Sequence, residues 1–138
     1  MQLVSLIYSS RKLGNMTLSQ VVEMADKASL HNKSVQVTGQ LLFRGGSFLQ
    51  LLEGPIIEVS KLYNKICNDP RHSQCLLLRY VHISNRQFED WNMRYVDLGL
   101  FTLPSHLGLV SSDIPSDPFP MNPDLVSELM LWCKEKAT

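Results

Sequence analysis

The sequence lacks an excess of either charge, a cysteine framework and any long apolar run, and each absence narrows what the chain can be. Thirteen Lys and Arg offset thirteen Asp and Glu among 138 residues. That balance leaves no basic surplus to displace the counterions of a nucleic acid and no polybasic patch for a membrane surface, so neither partner is expected. Cys67, Cys75 and Cys133 are odd in number and form no CxxC pair, which argues against a disulfide framework. His31, His72, His82 and His106 do not join them at ligand spacing, so no metal is expected either and three reduced, partly buried thiols remain. The longest apolar runs are four to six residues, against about 20 for a membrane span. The N-terminus opens into a strand-like run without a signal-peptide pattern, and a soluble cytoplasmic protein is expected. GxSxG, a Walker loop and GxGxxG are all missing, and with them the local signatures of the commonest enzyme classes.

What is present is the pattern of one domain, long enough to bury roughly two thirds of its unfolded surface without staples. Residues 3 to 9, Leu-Val-Ser-Leu-Ile-Tyr-Ser, read as a central strand buried on both faces. Thr17-Leu-Ser-Gln20 matches a capping box, and Leu18, Val21, Val22, Ala25 and Ser29 follow at helical spacing to about residue 31. Val35 to Phe43 and Ser47 to Glu53 flank Gly45-Gly46 and read as a hairpin. After Gly54-Pro55, the stripe Ile56, Val59, Leu62, Tyr63 and Ile66 predicts a second helix ending before Asn68-Asp69-Pro70. Cys75 to Ser84 and Trp91 to Gly99 read as two further strands.

This βαββαββ order predicts an α+β, ferredoxin-like sandwich with two helices on one face of a mixed sheet. Residues 100–138 differ, with Pro104, Pro115, Pro118 and Pro120 interrupting the chain until Asn122-Pro123-Asp124 caps a last helix carrying Leu125, Leu129, Trp132 and Cys133. That helical extension is expected to cover the other face of the sheet, giving a 1–99 unit and a 100–138 extension.

Several residues depart from a plain core. Gln50 shares a strand face with Phe48 and Leu52, where an amide with an unmet bond costs about 1–3 kcal/mol. Backbone or edge partners can satisfy it, and so can Tyr8, if their strands are neighbours. His31-Asn32 closes the first helix, either as ordinary capping residues or as a polar edge for a planar heterocycle. Arg71-His72 is either a solvated loop or an anion clamp. Trp91 and Met93 are expected on one face of the last strand, as packing. Amide, phenol and thioether are poor acid–base catalysts near neutral pH and suit the holding of an aromatic ligand.

These residues resemble the BLUF domains, small blue-light receptors that bind FAD noncovalently. The likeness runs from about residue 2 to 98, through Leu6-Ile7-Tyr8-Ser9-Ser10, Asn32 with Val37-Thr38-Gly39, Phe48-Leu49-Gln50-Leu51-Leu52-Glu53-Gly54, Asp69-Pro70-Arg71-His72 and Arg86-Gln87-Phe88-Glu89-Asp90-Trp91-Asn92-Met93. The resemblance implies a flavin ring between the two helices, its polar edge toward Tyr8, Gln50 and Asn32. Met24, His31, Val37, Phe48 and Ile66 would line the ring, and Lys65, Asp69, Arg71 and His72 would meet the ribityl and phosphate part. It further implies that Tyr8 gives up an electron and then a proton, that Gln50 rotates or tautomerises, and that a stronger bond to the flavin C4 carbonyl shifts absorption to the red. Met93 and Trp91 then compete for the place beside Gln50. Ala28 stands where many relatives have serine, and Lys65 where some have arginine, a point charge instead of a fork. The resemblance implies a bacterial photoreceptor rather than an enzyme, signalling through residues 100–138 to a protein partner or a further copy of itself. A small flavin oxidoreductase or an acyl-phosphate hydrolase on the same fold is the alternative.

Overall fold

Two of the three helices described begin where the sequence places a local side-chain partner for an otherwise unpaired backbone group. The computed structural model describes residues 2–107, 119–120 and 122–136. Helix α1, Leu18–Ser34, starts at the expected reciprocal cap: Gln20 N donates to Thr17 Oγ1 at 3.2 Å and Thr17 N to Gln20 Oε1 at 2.8 Å. Strand β2, Thr38–Arg44, turns into β3, Ser47–Pro55, through Gly45 and Gly46 at φ 57° and 76°, the left-handed region that glycine enters at no steric cost. Helix α2 is Ile56–Cys67, and α3 is Pro123–Lys136, capped by Asn122 Oδ1 accepting from Asp124 N at 2.8 Å and Leu125 N at 3.2 Å.

With β1 at Leu3–Lys12, β4 at His72–Ile83 and β5 at Arg94–Asp97, the five strands lie in the order β4-β1-β3-β2-β5. All pairs are antiparallel except β2 with β5. This is the ferredoxin-like α+β sandwich with a fifth strand added in parallel. The central position of β1 and β3 explains their near-continuous apolar runs.

The sheet carries a core on each face. On one, Val4, Leu6, Phe48 and Leu52 meet Val21, Met24 and Ala25 of α1 and Val59 of α2. On the other, Ile7, Leu42, Leu49 and Leu51 meet Val126, Leu129, Met130 and Cys133 of α3. The C-terminal helix thus covers the face opposite α1 and α2.

Three expectations change in detail. The buried stripe of α1 is Val21, Met24, Ala25 and Asn32, with Leu18 and Val22 exposed; that of α3 is Val126, Leu129, Met130 and Cys133, with Leu125 and Trp132 half-buried. Apolar residues on both flanks of each helix let the same spacing be drawn in more than one phase. The last strand does not begin at Trp91. Trp91 O still accepts from Gly39 N of β2 at 2.9 Å, but Asn92 turns aside: its O accepts from Asn32 Nδ2 at 3.0 Å and its Nδ2 donates to Val37 O at 3.1 Å. Trp91 therefore packs in the α3-face core and Met93 in the other, so the two do not share a face. Of the expected extension, residues 108–118, with Pro115 and Pro118, lie outside the described residues.

Gly39 sits where backbones crowd: a Cβ there would lie 1.9 Å from Leu51 O. Gly39→Ala is expected to cost about 3 kcal/mol, the upper end of overpacking penalties. Gly14→Ala, with nothing within 4 Å, should be near neutral. Urea midpoints of the two variants check the contrast.

Candidate functional site

Strand register builds the floor of the site. Tyr8 pairs with Gln50 across β1 and β3, and Gln50 with Leu41 across β3 and β2, so the three side chains form one row facing α1 and α2. Above that row a cavity of about 190 Å³ opens between the helices. Met24, Ala25 and Ala28 of α1 and Leu62 and Ile66 of α2 wall it, and Lys27, His31, Lys65, Asp69, Arg71 and His72 stand toward its rim. Leu62 and Ile66 are only half-buried because the cavity lies where a tighter sandwich would close over them.

The floor carries a hydrogen-bonded chain. Tyr8 OH donates to Gln50 Oε1, and Gln50 Nε2 donates to Met93 Sδ at 3.2 Å. Both Tyr8 and Gln50 are buried. Burial pushes the Tyr8 phenol well above its ordinary range, with smaller contributions from Cys75, Cys67, Tyr63 and Asp69, so it keeps its proton. The proton points at the amide oxygen, and the amide's own hydrogen at sulfur.

Asn32, fully buried at the end of α1, spends Nδ2 on Asn92 O, while its Oδ1 has no partner among the described residues. A buried orphan acceptor on the wall of a cavity calls for an N–H donor from a ligand. A largely apolar cavity with an amide and a phenol on its floor, and that acceptor in its wall, fits a flavin ring and the N–H of its pyrimidine edge.

The rim is charged and poorly suited to acid–base work. Asp69 takes Arg71 Nε at 3.0 Å on Oδ1 and Arg71 Nη2 at 2.5 Å on Oδ2, which holds its carboxyl down at about 2. His72 is pushed down by burial, bonded to Ser10 Oγ at 2.9 Å through Nδ1 and packed on the Phe48 ring at 5.1 Å. It is neutral near pH 7. Arg71, Lys65 and Lys27 supply the positive charge.

Ten of the residues expected around a ligand meet here: Tyr8, Met24, His31, Asn32, Gln50, Lys65, Ile66, Asp69, Arg71 and His72. Val37 and Phe48 do not line the cavity. Both are fully buried in the core beneath it, Phe48 between Phe43 and His72. Met93 takes the place beside Gln50, and Trp91 stacks under Arg94 on the opposite face, 4.4 Å from guanidinium to ring. Sequence reasoning missed Ala25, Lys27, Leu41 and Leu62 as lining. Leu41 was within reach, because a hairpin closed at Gly45-Gly46 sets 41 opposite 50.

The family model described as BLUF, sensors of blue-light using FAD, matches residues 3–94. The Escherichia coli (strain K12) "Blue light- and temperature-regulated antirepressor BluF" is 39% identical over 98 residues, 71% of this chain and 24% of that protein. The "Photoactivated adenylate cyclase subunit beta" of Euglena longa is 35% identical over 74 residues, 54% of this chain and 9% of that protein. This chain thus spans about a quarter or less of the length of these curated relatives. Among solved structures, the dark state of BlrB, a BLUF protein, superposes with a TM-score of 0.68 at 35% identity, over 71% of this chain and 74% of that one. Klebsiella pneumoniae BlrP1 with FMN and cyclic diGMP gives 0.68 at 34% identity, over 72% and 25%.

The Asp69–Arg71 pair generates a pH prediction. Its carboxyl is lowered from 3.8 to about 2, so its contribution is present above pH 3.8 and lost as pH falls toward 2. Both side chains are partly exposed, which holds that contribution to about 1 kcal/mol or less. Asp69→Asn should therefore be less stable than wild type at pH 6 and converge with it by pH 2, as urea midpoints across that range would register.

Proposed function

The chain belongs to the BLUF family, the sensors of blue light using FAD, and from that premise we propose that Tyr8, Gln50 and Met93 form its responding relay and α3 its output. The observation that carries the reading is the unbroken buried chain from Tyr8 OH through the Gln50 amide to Met93 Sδ. FAD supplies a blue-absorbing ring that is a strong oxidant once excited. Met24, Asn32 and Ile66 would hold the ring over Tyr8 and Gln50, with Lys65, Asp69, Arg71 and His72 toward its tail. The protein's part follows from proton positions.

Loss of an electron turns the Tyr8 phenol into a strong acid, and its proton leaves along the bond to Gln50 Oε1. Return of both gives the amide an occasion to settle the other way round. A turned amide exchanges Oε1 for Nε2. Tyr8 OH accepts as readily as it donates, so it keeps a partner. Met93 does not: a thioether has no hydrogen to give, and a carbonyl oxygen facing sulfur makes no bond. Met93 is then released from its buried contact.

Met93 immediately precedes β5, a four-residue edge strand. Arg94, the first residue of β5, lies over the Trp91 ring and donates from Nη1 to Lys134 O at 3.4 Å. Lys134 Nζ in turn donates to Gln87 O. A second route runs through β2. Gln40, next to the cavity residue Leu41, is fully buried and donates from Nε2 to Met130 O at 3.1 Å and toward Met130 Sδ at 3.4 Å. Both routes end on the last two turns of α3. Light would shift the population of this contact and so alter what α3 offers to a partner protein or a second copy.

We take residues 1–99 as the flavin-binding unit and 100–138 as the transmitter. We take the chain as a sensor without turnover of its own, because the cavity's Asp69 is gripped by Arg71 and its His72 is bonded to Ser10, so both are already committed to structural partners. The relatives' names, an antirepressor and a cyclase subunit, describe whole proteins; this chain's partner is proposed only as a protein surface that reads α3.

Gln50→Ala should still bind flavin but lose the light-induced red shift, and Tyr8→Phe should do nearly the same. Hydrogen exchange in residues 90–107 and 122–136 should change on illumination in wild type and not in Gln50→Ala. An undiminished photocycle in either variant, or identical dark and light exchange in wild type, would refute the relay.

A further inference from the structure

Two thiols that the relay does not use meet where α2 ends and β4 begins. Tyr63 of α2 packs on the Tyr8 ring, 5.4 Å between centroids, which turns that side of the helix toward the sheet. Cys67, one turn further on and the last residue of α2, lies on the same side. On β4, Leu77 pairs with Tyr8 and Leu76 with Ser9, so alternation sets Cys75 on the Tyr8 face of the sheet. The register then shifts before Ser73 pairs with Arg11, with Gln74 at φ 53°, and Gln74 and Cys75 stand against the single residue Ser10. Cys67 lies within side-chain hydrogen-bonding reach of both Tyr63 and Cys75. A helix end folded back over a neighbouring strand thus joins two cysteines at a spacing that no CxxC pattern reveals.

We propose that Cys67 and Cys75 are a reversible thiol–disulfide couple, oxidised by a small-molecule disulfide of the glutathione type. The bridge closes over residues 68–74, the segment that brings Asp69, Arg71 and His72 to the rim of the cavity. Tied at both ends, that segment opens less freely. The bridge does not depend on what the cavity holds; only its consequence for a bound flavin rests on the reading above. Exposure makes Cys67 the point of entry, and Cys75 is half-buried behind it. The Cys67 thiolate attacks one sulfur of the oxidant and expels a thiolate, leaving a mixed disulfide. Burial, and after it the bond and the charge of Cys67, push the Cys75 thiol up to about 12, so Cys75 keeps its proton while Cys67 is free. Capping Cys67 removes the second and third of these influences. Cys75 then loses its proton, attacks the Cys67 sulfur and expels the second thiolate. Two electrons have passed from the two thiols to the S–S bond of the oxidant, and the two protons leave on the two small thiols released. Cys133, fully buried in the α3-face core, takes no part.

The full chain, equilibrated with oxidised glutathione, quenched by alkylation and mapped by mass spectrometry, should yield a peptide pair joined through Cys67 and Cys75 and lighter by two hydrogens. Cys133 should be alkylated only after unfolding, and dithiothreitol should restore both thiols. Cys75→Ser should stop at a stable glutathione adduct on Cys67, whereas Cys67→Ser should acquire an adduct on Cys75 about tenfold more slowly. Amide exchange in residues 68–74 should slow by about tenfold when wild type is oxidised, and should not respond in Cys75→Ser. A wild-type protein that ends as the glutathione adduct on Cys67, links two copies through Cys67 or keeps both thiols free would overturn the proposal. A bridge that leaves exchange in residues 68–74 unchanged would overturn it as well. None of these outcomes bears on whether the cavity holds a flavin.

Discussion

A primary amide buried in the middle of a sheet must find partners at both ends, and Gln50 finds them in two side chains from distant parts of the chain. Leaving either end unmet costs about 1–3 kcal/mol. The register that sets Tyr8 opposite Gln50 and the position of Met93 beside β5 are therefore tied to one another through a single side chain. Because an amide has unlike ends and a thioether only accepts, the arrangement has two settings that differ in one bond. That makes it a switch rather than a brace.

The rest of the molecule serves to connect that side chain to a surface. The segment that carries Met93 is fastened by polar groups, not by a long ladder. Asn32 and Asn92 hold residues 91–93, and Glu53, on the same strand as Gln50, accepts from the amides of Gln87 and Phe88 at 2.9 and 2.7 Å. Burial pushes the Glu53 carboxyl up, against the pull of those two amides and of Arg86. Arg86 itself donates to Glu53 O and Thr38 Oγ1 at 2.9 and 3.0 Å. Discrete contacts of this kind are made or broken one at a time, unlike a packed core that resists small shifts. On the far face, Gln40 and Lys134 O give α3 two specific attachments above an otherwise apolar seat.

Much of this was legible because it is local. The Thr17–Gln20 and Asn122 caps, the Gly45-Gly46 hairpin and the two-faced sheet follow from short-range backbone chemistry and period; the pairing of Tyr8 with Gln50, 42 residues apart, was legible only on the condition that their strands are neighbours. What was not legible depends on bonds between residues far apart in sequence. Alternation puts Trp91 and Met93 on one face only if the strand reaches them, and β5 begins at Arg94, with Asn92 bonded to Asn32, 60 residues away. Val37 and Phe48 were expected at the ligand from the family resemblance alone; whether such a side chain lines a cavity or lies beneath it is decided by helix placement. Gln40, a buried amide as odd as Gln50, passed unnoticed inside an apolar strand.

The central claim is that a flavin seated over Tyr8 and Gln50 reports a reversible change in hydrogen bonding rather than undergoing net chemistry. The most direct test is the absorption spectrum of the purified protein in darkness, under blue light, and again in darkness. The account predicts a flavin spectrum that moves slightly to the red and returns. A flavin that bleaches under blue light, or one that does not respond, would contradict it.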